Sequence, residues 1–358
     1  MAQEKPASIT DIAKKAGVSA TTVSRVLNDT KGEIQISEKT RQLVLTTATR
    51  LGYQRNPFAS ALRTSRTGIV GAVSPNLGGT YFSILGHHLQ VAAKKLEIEL
   101  LIGATQTEAS GIAGQLSILQ SQIFDGVLFL GNHPYHQMLL SGESHFNKPC
   151  VHVMAEVGAA LPLIGVNNEL GTARALDHLI ALGHTQIAFI GSPAVHHDRR
   201  QLAAYQAYFK QHNMPFHPEL ISDLDQMPYT PEVPSFRDKI RQLVALHAYR
   251  LLSQETLRPT AIVCASDGYA AETLKAAYRL GLRVPEDLSI VGYGDQHEAL
   301  ITFPELTTVR IPNQEIAEAA LKLLTELIET PNLERLYRTQ VLADPELVIR
   351  QSTARVPV

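Results

Sequence analysis

Beyond residue 67 the chain is punctuated by short, almost unbroken apolar runs. They are GIVGAVS at 68–74, IELLIGA at 98–104, GVLFLG at 126–131, CVHVM at 150–154, LIGVN at 163–167, QIAFIG at 186–191, AIVCAS at 261–266 and SIVGYG at 289–294. Each has the length of a strand, and stretches of helical length separate most of them. Strands apolar on both faces and alternating with helices predict parallel sheets covered on both sides. About ten strands in all, these eight included, are too many for one compact sheet of this style. The pattern therefore predicts two side-by-side α/β subdomains joined near Gly165–Glu169.

Residues 1–66 follow another rhythm. Thr10 is placed to cap a helix through DIAKKA, with Asp11 in its first turn and Gly17 at its end. Ser19 is the next capping position, opening a second helix from Ala20 to about Asn28. The small residues Ala13 and Gly17 and the valines Val23 and Val26 suit two short helices crossing at a tight turn. A third helix from Ser37 to Arg50, with Leu43, Val44, Ala48 and Leu51 on one side, closes a small core. The second helix then turns Ala20, Thr21, Thr22, Ser24, Arg25 and Asn28 outward. Small side chains let a helix lie deep in a major groove, hydroxyls hold phosphates, and Arg25 can pair with guanine O6 and N7. A small helical interaction module is the bland alternative.

Charge sharpens this division. Residues 1–66 hold 11 Lys and Arg against 5 Asp and Glu, a net of +6, while the remainder carries a net of −8. A basic head on an acidic body fits phosphate binding at one end. After Gly52 and Tyr53 comes RNPFASALRTSRTG, where Asn56 can cap and Pro57 sits at the first helical position. So short a helix is marginal alone and is expected to order only on DNA or on a second copy. Leu62, flanked by Arg63 and Arg66, has the character of a wedge between minor-groove base steps with arginines nearby on phosphates. A flexible linker with Leu62 packed on the next domain is the alternative.

TDIAKKAGVSATTVSRVLN, ISEKTRQLV, GYQRNPFASALRT and GIVGAV, followed by FDGVLFLG, LIALGHTQIAFIG, RPTAIVCASD, GLRVPEDLSIVGYGD and PELTTVRIP, resemble the lactose/galactose repressor (LacI/GalR-type) family of bacterial transcription regulators. The resemblance runs through nearly the whole chain. It implies a helix-turn-helix DNA-binding domain at 1–54, a hinge helix and linker at 55–67, and a two-lobed effector-binding and dimerisation domain at 68–350 of periplasmic-binding-protein type. It also implies that Ala20, Thr21 and Arg25 read bases and that Thr22, Ser24, Asn28, Ser37 and Thr40 hold phosphates. Tyr53, Asn56, Ala59 and Leu62 complete the DNA-binding set, with Leu62 at the operator centre. DTKGEIQI, between Asn28 and Ser37, is a few residues longer than the family usually has.

Ligands in such α/β folds bind beyond the carboxyl ends of strands. The effector positions expected there are Asn76, Tyr81, Phe82, His133, His197, Arg200, Gln201, Ser266, Asp267 and Asp295. Sugar-binding relatives usually have Arg, Asn and Asp where this chain has Gln201, Ser266 and Gly294, and the segment 225–240 is longer than usual. A sugar or sugar derivative is the first expectation; a nucleobase, another corepressor or an acidic ligand are the alternatives. The pairs His87–His88 and His196–His197, with His133 and His136, invite a metal reading, but no metal or cofactor is expected. No GxSxG, Walker A, GxGxxG or HExxH occurs, so an enzyme is not expected. Cys150 and Cys264 have no metal or CxxC spacing and fit buried reduced thiols. The N-terminal stretch lacks an apolar signal core and no run spans a membrane. That argues against a secreted solute-binding protein and for a cytoplasmic, nucleoid-associated one. A homodimer is expected rather than a tetramer, because no heptad tail follows LVIRQST, and the helix YFSILGHHLQVAAKKL is a candidate interface.

Overall fold

The computed structural model describes residues 7–27, 36–53, 66–75, 80–104, 109–132, 146–155, 161–192, 195–224, 236–330 and 334–356. The chain divides into two compact units, Met1–Thr67 and Gly68–Val358.

The first unit holds three helices, α1 (Ile9–Ala16), α2 (Ala20–Leu27) and α3 (Glu38–Arg50). The start of α1 corrects the sequence expectation: Ser8, not Thr10, is the cap. Its hydroxyl accepts the Asp11 N–H, and the Asp11 carboxylate accepts the Ser8 N–H at 2.9 Å in a reciprocal box. Gly17 ends α1 at φ +68°, where a side chain would be strained. Ser19 caps α2 by accepting the Thr22 N–H at 3.1 Å, and Ser37 caps α3 in the same way through Thr40. The core consists of Ile12, Ala13, Ala16, Val23, Val26, Val44 and Ala48. Leu43, expected inside, is 48% exposed; one position on, Val44 takes the inward place and is fully buried. The hinge helix expected at 55–67 falls mostly on residues outside the described ones.

In the second unit, β1 (Ile69–Ser74), β2 (Glu99–Ala104), β3 (Gly126–Leu130), β4 (Cys150–Val153) and β5 (Leu163–Val166) build one sheet. β6 (Ile187–Gly191), β7 (Ile221–Asp223), β8 (Ala261–Cys264), β9 (Ser289–Gly294) and β10 (Thr307–Arg310) build a second. The chain then returns. β11 (Gln340–Ala343) adds to the first sheet beside β5, and β12 (Glu346–Val348) adds antiparallel to β10 in the second. The orders are β11-β5-β4-β3-β1-β2 and β12-β10-β9-β8-β6-β7, parallel apart from β12.

The helices of this unit are α4 (Thr80–Lys95), α5 (Ala109–Leu119), α6 (Asn168–Ala181), α7 (His196–Gln211), α8 (Phe236–Leu252), α9 (Asp267–Arg279), α10 (His297–Ile301) and α11 (Asn313–Glu329). The first crossing between the lobes lies at Val166–Asn168, inside the window read from the sequence. Two further crossings, into α11 and β11 and back into β12, were not read there. The strands β3, β4, β5, β6, β8 and β9 are buried at every residue, which is why they stood out as unbroken apolar runs.

Candidate functional site: a helix-turn-helix surface and an interlobe cleft

In the first unit the valines of α2 face inward, so its other face is set by geometry. Ala20 and Thr21 are exposed, while Thr22, Ser24 and Arg25 are partly exposed. Thr21 and Arg25 lie one turn apart and so share a face. The first turns of α2 and α3 each carry two hydroxyls in contact, Ser19 with Thr22 at 2.9 Å and Ser37 with Thr40 at 2.8 Å. Backbone N–H groups and hydroxyls at a helix start suit a phosphate oxygen. Tyr53 is half-buried against the small core, and its N–H donates to the Ala48 carbonyl at 3.0 Å. Asn28, Asn56, Ala59 and Leu62 lie outside the described residues.

In the second unit the carboxyl ends of β4, β5 and β6 open on a small, partly solvent-open hollow. It is lined by Met154, Ala155, Leu163, Gly165, Val166, Asn168, His197, Arg200 and Leu342. Met154 through Val166 and Leu342 come from the first sheet's strands and their ends; His197 and Arg200 come from α7 over the second sheet. The Tyr81 ring, from α4, stands 6.3 Å from the His197 ring, centroid to centroid. Its hydroxyl is buried with no hydrogen-bond partner, and burial pushes the phenol pKa upward, with Tyr293 adding to the effect. Phe82 packs over Gly131, where an added Cβ would lie 2.5 Å from the ring. Gln201 is 2% exposed; its amide nitrogen donates to the Ala265 carbonyl at 3.4 Å, while its Oε1 has no partner.

The remaining expected effector residues are engaged inside the protein. Ser266 caps α9 by accepting the Tyr269 N–H at 3.2 Å. Asp267 is fully buried and accepts from Gln296 N–H at 2.7 Å and the Thr308 hydroxyl at 2.5 Å. Burial raises its pKa to about 6 even though both hydrogen bonds act the other way. Asp295 forms ion pairs with Arg310 and Arg350, each at 2.6 Å. Asn76 and His133 lie outside the described residues. The His87 and His88 rings meet edge to face at 5.6 Å on α4, and among the described residues no group of three or more His, Cys, Asp or Glu is placed to hold a metal.

The model for bacterial regulatory proteins of the lacI family matches residues 8–56, and that for a periplasmic binding protein-like domain matches 176–353. The transcriptional regulator DegA of Bacillus subtilis is 28% identical over 97% of this chain and 98% of its own length. Among solved structures, the Lac repressor dimer bound to operator and the anti-inducer ONPF superposes with a TM-score of 0.81 at 24% identity, covering 98% of this chain and 100% of that one. The regulator CelR in complex with cellobiose follows with a TM-score of 0.67 at 24% identity, covering 97% and 99%. This chain belongs to the lacI family.

The relatives are transcriptional regulators and not enzymes, and this lacI-family protein is accordingly a DNA-binding transcriptional regulator. Among its described residues no helix is long and apolar enough to cross a membrane. Asn168, which lines its cleft, and Tyr293, which holds Asn168 from the core, were not singled out by sequence reasoning. The Tyr293 hydroxyl donates to Asn168 Oδ1 at 3.3 Å, tying the first residue of α6 to the end of β9. Their signal was available: a polar residue at a helix start after an apolar strand, and a tyrosine within one. The Leu342 wall had none, because β11 is short and mostly exposed.

Proposed function

We propose that this regulator is a ligand-responsive repressor that binds a palindromic operator as a dimer. The observation that carries the reading is a cleft lined by His197 and Arg200, with unsatisfied buried polar atoms beside it on Tyr81 and Gln201, on the same chain as a helix whose exposed face carries Thr21 and Arg25. Buried polar atoms without partners are costly, and a bound ligand is the natural way to satisfy them. The Lac repressor, whose fold this chain shares, is a dimer on operator DNA with a small ligand in that structure. CelR holds cellobiose in its own structure, which favours a sugar or sugar derivative here.

In this mechanism Thr21 and Arg25 read base edges, and the hydroxyl-bearing starts of α2 and α3 seat on phosphates. Two heads related by a two-fold axis read both halves of a palindrome. Ligand in the cleft favours one arrangement of the lobes and thereby shifts the population able to hold both heads on DNA. The effector acts as inducer or corepressor according to which arrangement it prefers. The test is selection of genomic fragments on the purified protein near physiological salt, with and without small metabolites. Enrichment of one palindrome whose recovery changes with metabolites supports the reading. Retention of fragments without a common motif under both conditions overturns it.

A further inference from the structure

The hollow beside α7 carries a charge, on Arg200, that no described side chain pairs with. Its walls are mainly apolar, its polar lining is Asn168, His197 and Arg200, and among the described residues no acidic side chain lines it. Asp198, Asp267 and Asp295, at the strand ends around the cleft, are engaged elsewhere. Asp198 accepts the Ser192 N–H at 2.8 Å, Asp267 is held by Gln296 and Thr308, and Asp295 by two arginines. Among the described residues Arg200 is part-buried and has no ion-pair partner. A part-buried guanidinium without a counter-charge is open to pair with an anion supplied from outside.

The neighbouring groups define what else that anion must carry. His197, Arg200 and Gln201 stand at i, i+3 and i+4 on α7, so they share one face. Gln201 contributes a buried acceptor without a donor, and Tyr81 brings a phenol without a partner from the opposite lobe. A matching ligand thus offers negative charge to Arg200, an acceptor to Tyr81 and a hydroxyl or N–H to Gln201. We propose that the effector of this cleft is a hydroxylated or amine-bearing small acid, its carboxylate or phosphate held by the Arg200 guanidinium. A guanidinium fork matches either group in a two-pronged geometry, which a neutral sugar cannot use as well. The inference rests on the ligand-responsive reading above and narrows its ligand class.

The test uses the full chain and the genomic fragment it enriches. A small-molecule extract of bacterial cells is split on an anion exchanger into retained and flow-through fractions, and each is tested for change in DNA retention. The change is expected in the retained fraction. Phosphatase treatment of that fraction then assigns the group: loss of the effect means a phosphate ester, persistence a carboxylate. Melting shifts, each referred to that protein's own unliganded value, should need at least about tenfold more of the retained fraction for Arg200→Gln than for wild type, with Arg200→Lys between them. Activity confined to the flow-through, or an unaltered response of Arg200→Gln, overturns the anion while leaving the regulator reading intact. Specific DNA binding that neither fraction changes removes the effector reading and this inference with it.

Discussion

Asp267 is a buried carboxylate that accepts two hydrogen bonds, from Gln296 N–H and the Thr308 hydroxyl. Loss of water outweighs them and lifts its pKa to about 6. A carboxyl raised in the fold above its unfolded value contributes stability that is complete below the unfolded pKa and is lost as pH rises through the folded one. The window is therefore the span from the ordinary carboxylate range up to about 6. Asp267→Asn should gain on wild type by on the order of 2–3 kcal/mol between pH 4.5 and pH 7 in paired urea titrations. A difference that stays flat across that span would show that Asp267 does not titrate in the fold. Gly171 makes a second residue-scale point. A Cβ there would collide with the Tyr293 hydroxyl and lie 2.9 Å from Pro345, both buried against α6. Gly171→Ala is expected to destabilise by about 1–3 kcal/mol through overpacking, read as a lower melting temperature.

At the scale of elements, α2 is held by its cap and its two valines, and both can be separated from the face proposed to read bases. Ser19→Ala removes the cap of α2 and should cost the head about 1 kcal/mol, seen in its melting and only weakly in base preference. Arg25→Ala should cost about 1–3 kcal/mol of operator affinity and relax the preference at one position, measured by fragment selection. Operator binding by Arg25→Ala equal to wild type would move base reading off this helix. These helices were legible because helix starts and stops depend on local residues such as Ser19, Ser37 and Gly17. The cap of α1 was misplaced by two residues because Ser8 and Thr10 are both good caps, and only the reach of Asp11 back to Ser8 decides between them. The strands of the sheet centres were legible because both their faces are buried. β7, with three residues, and β11, at a sheet edge, lack that apolar signature, and their place is set by what they pair with. In the cleft, the residue types at 197–201 were readable from strand ends. That Asp267 and Asp295 turn away to partners at 296, 308, 310 and 350 depends on contacts made far along the chain.

At the scale of the whole molecule, the apolar surface left uncovered bears on how two heads come together. In the second lobe Leu300 is 53% exposed, Ile301 64% and Phe303 92%, all within four residues at the end of α10. In the first lobe Val91 on α4 and Leu101 on the edge strand β2 are 43% and 54% exposed. Clusters of exposed large apolar side chains on a soluble protein mark contact surfaces. A two-fold pairing would bury the same patches on both copies at once, and one set in each lobe lets the pair sense how the lobes are arranged. That is the coupling a dimeric repressor needs: ligand acts within one chain, while operator affinity depends on two. Phe303→Asp places a charge in the proposed contact and changes no residue assigned to the cleft or the head. It should weaken dimerisation at least about tenfold, seen by sedimentation across a dilution series. Operator binding should then become concentration-dependent, and half-site binding should survive. If Phe303→Asp stays dimeric at the dilution where wild type does, the interface lies elsewhere, and Leu101→Asp on β2 becomes the variant that decides whether the first lobe carries it.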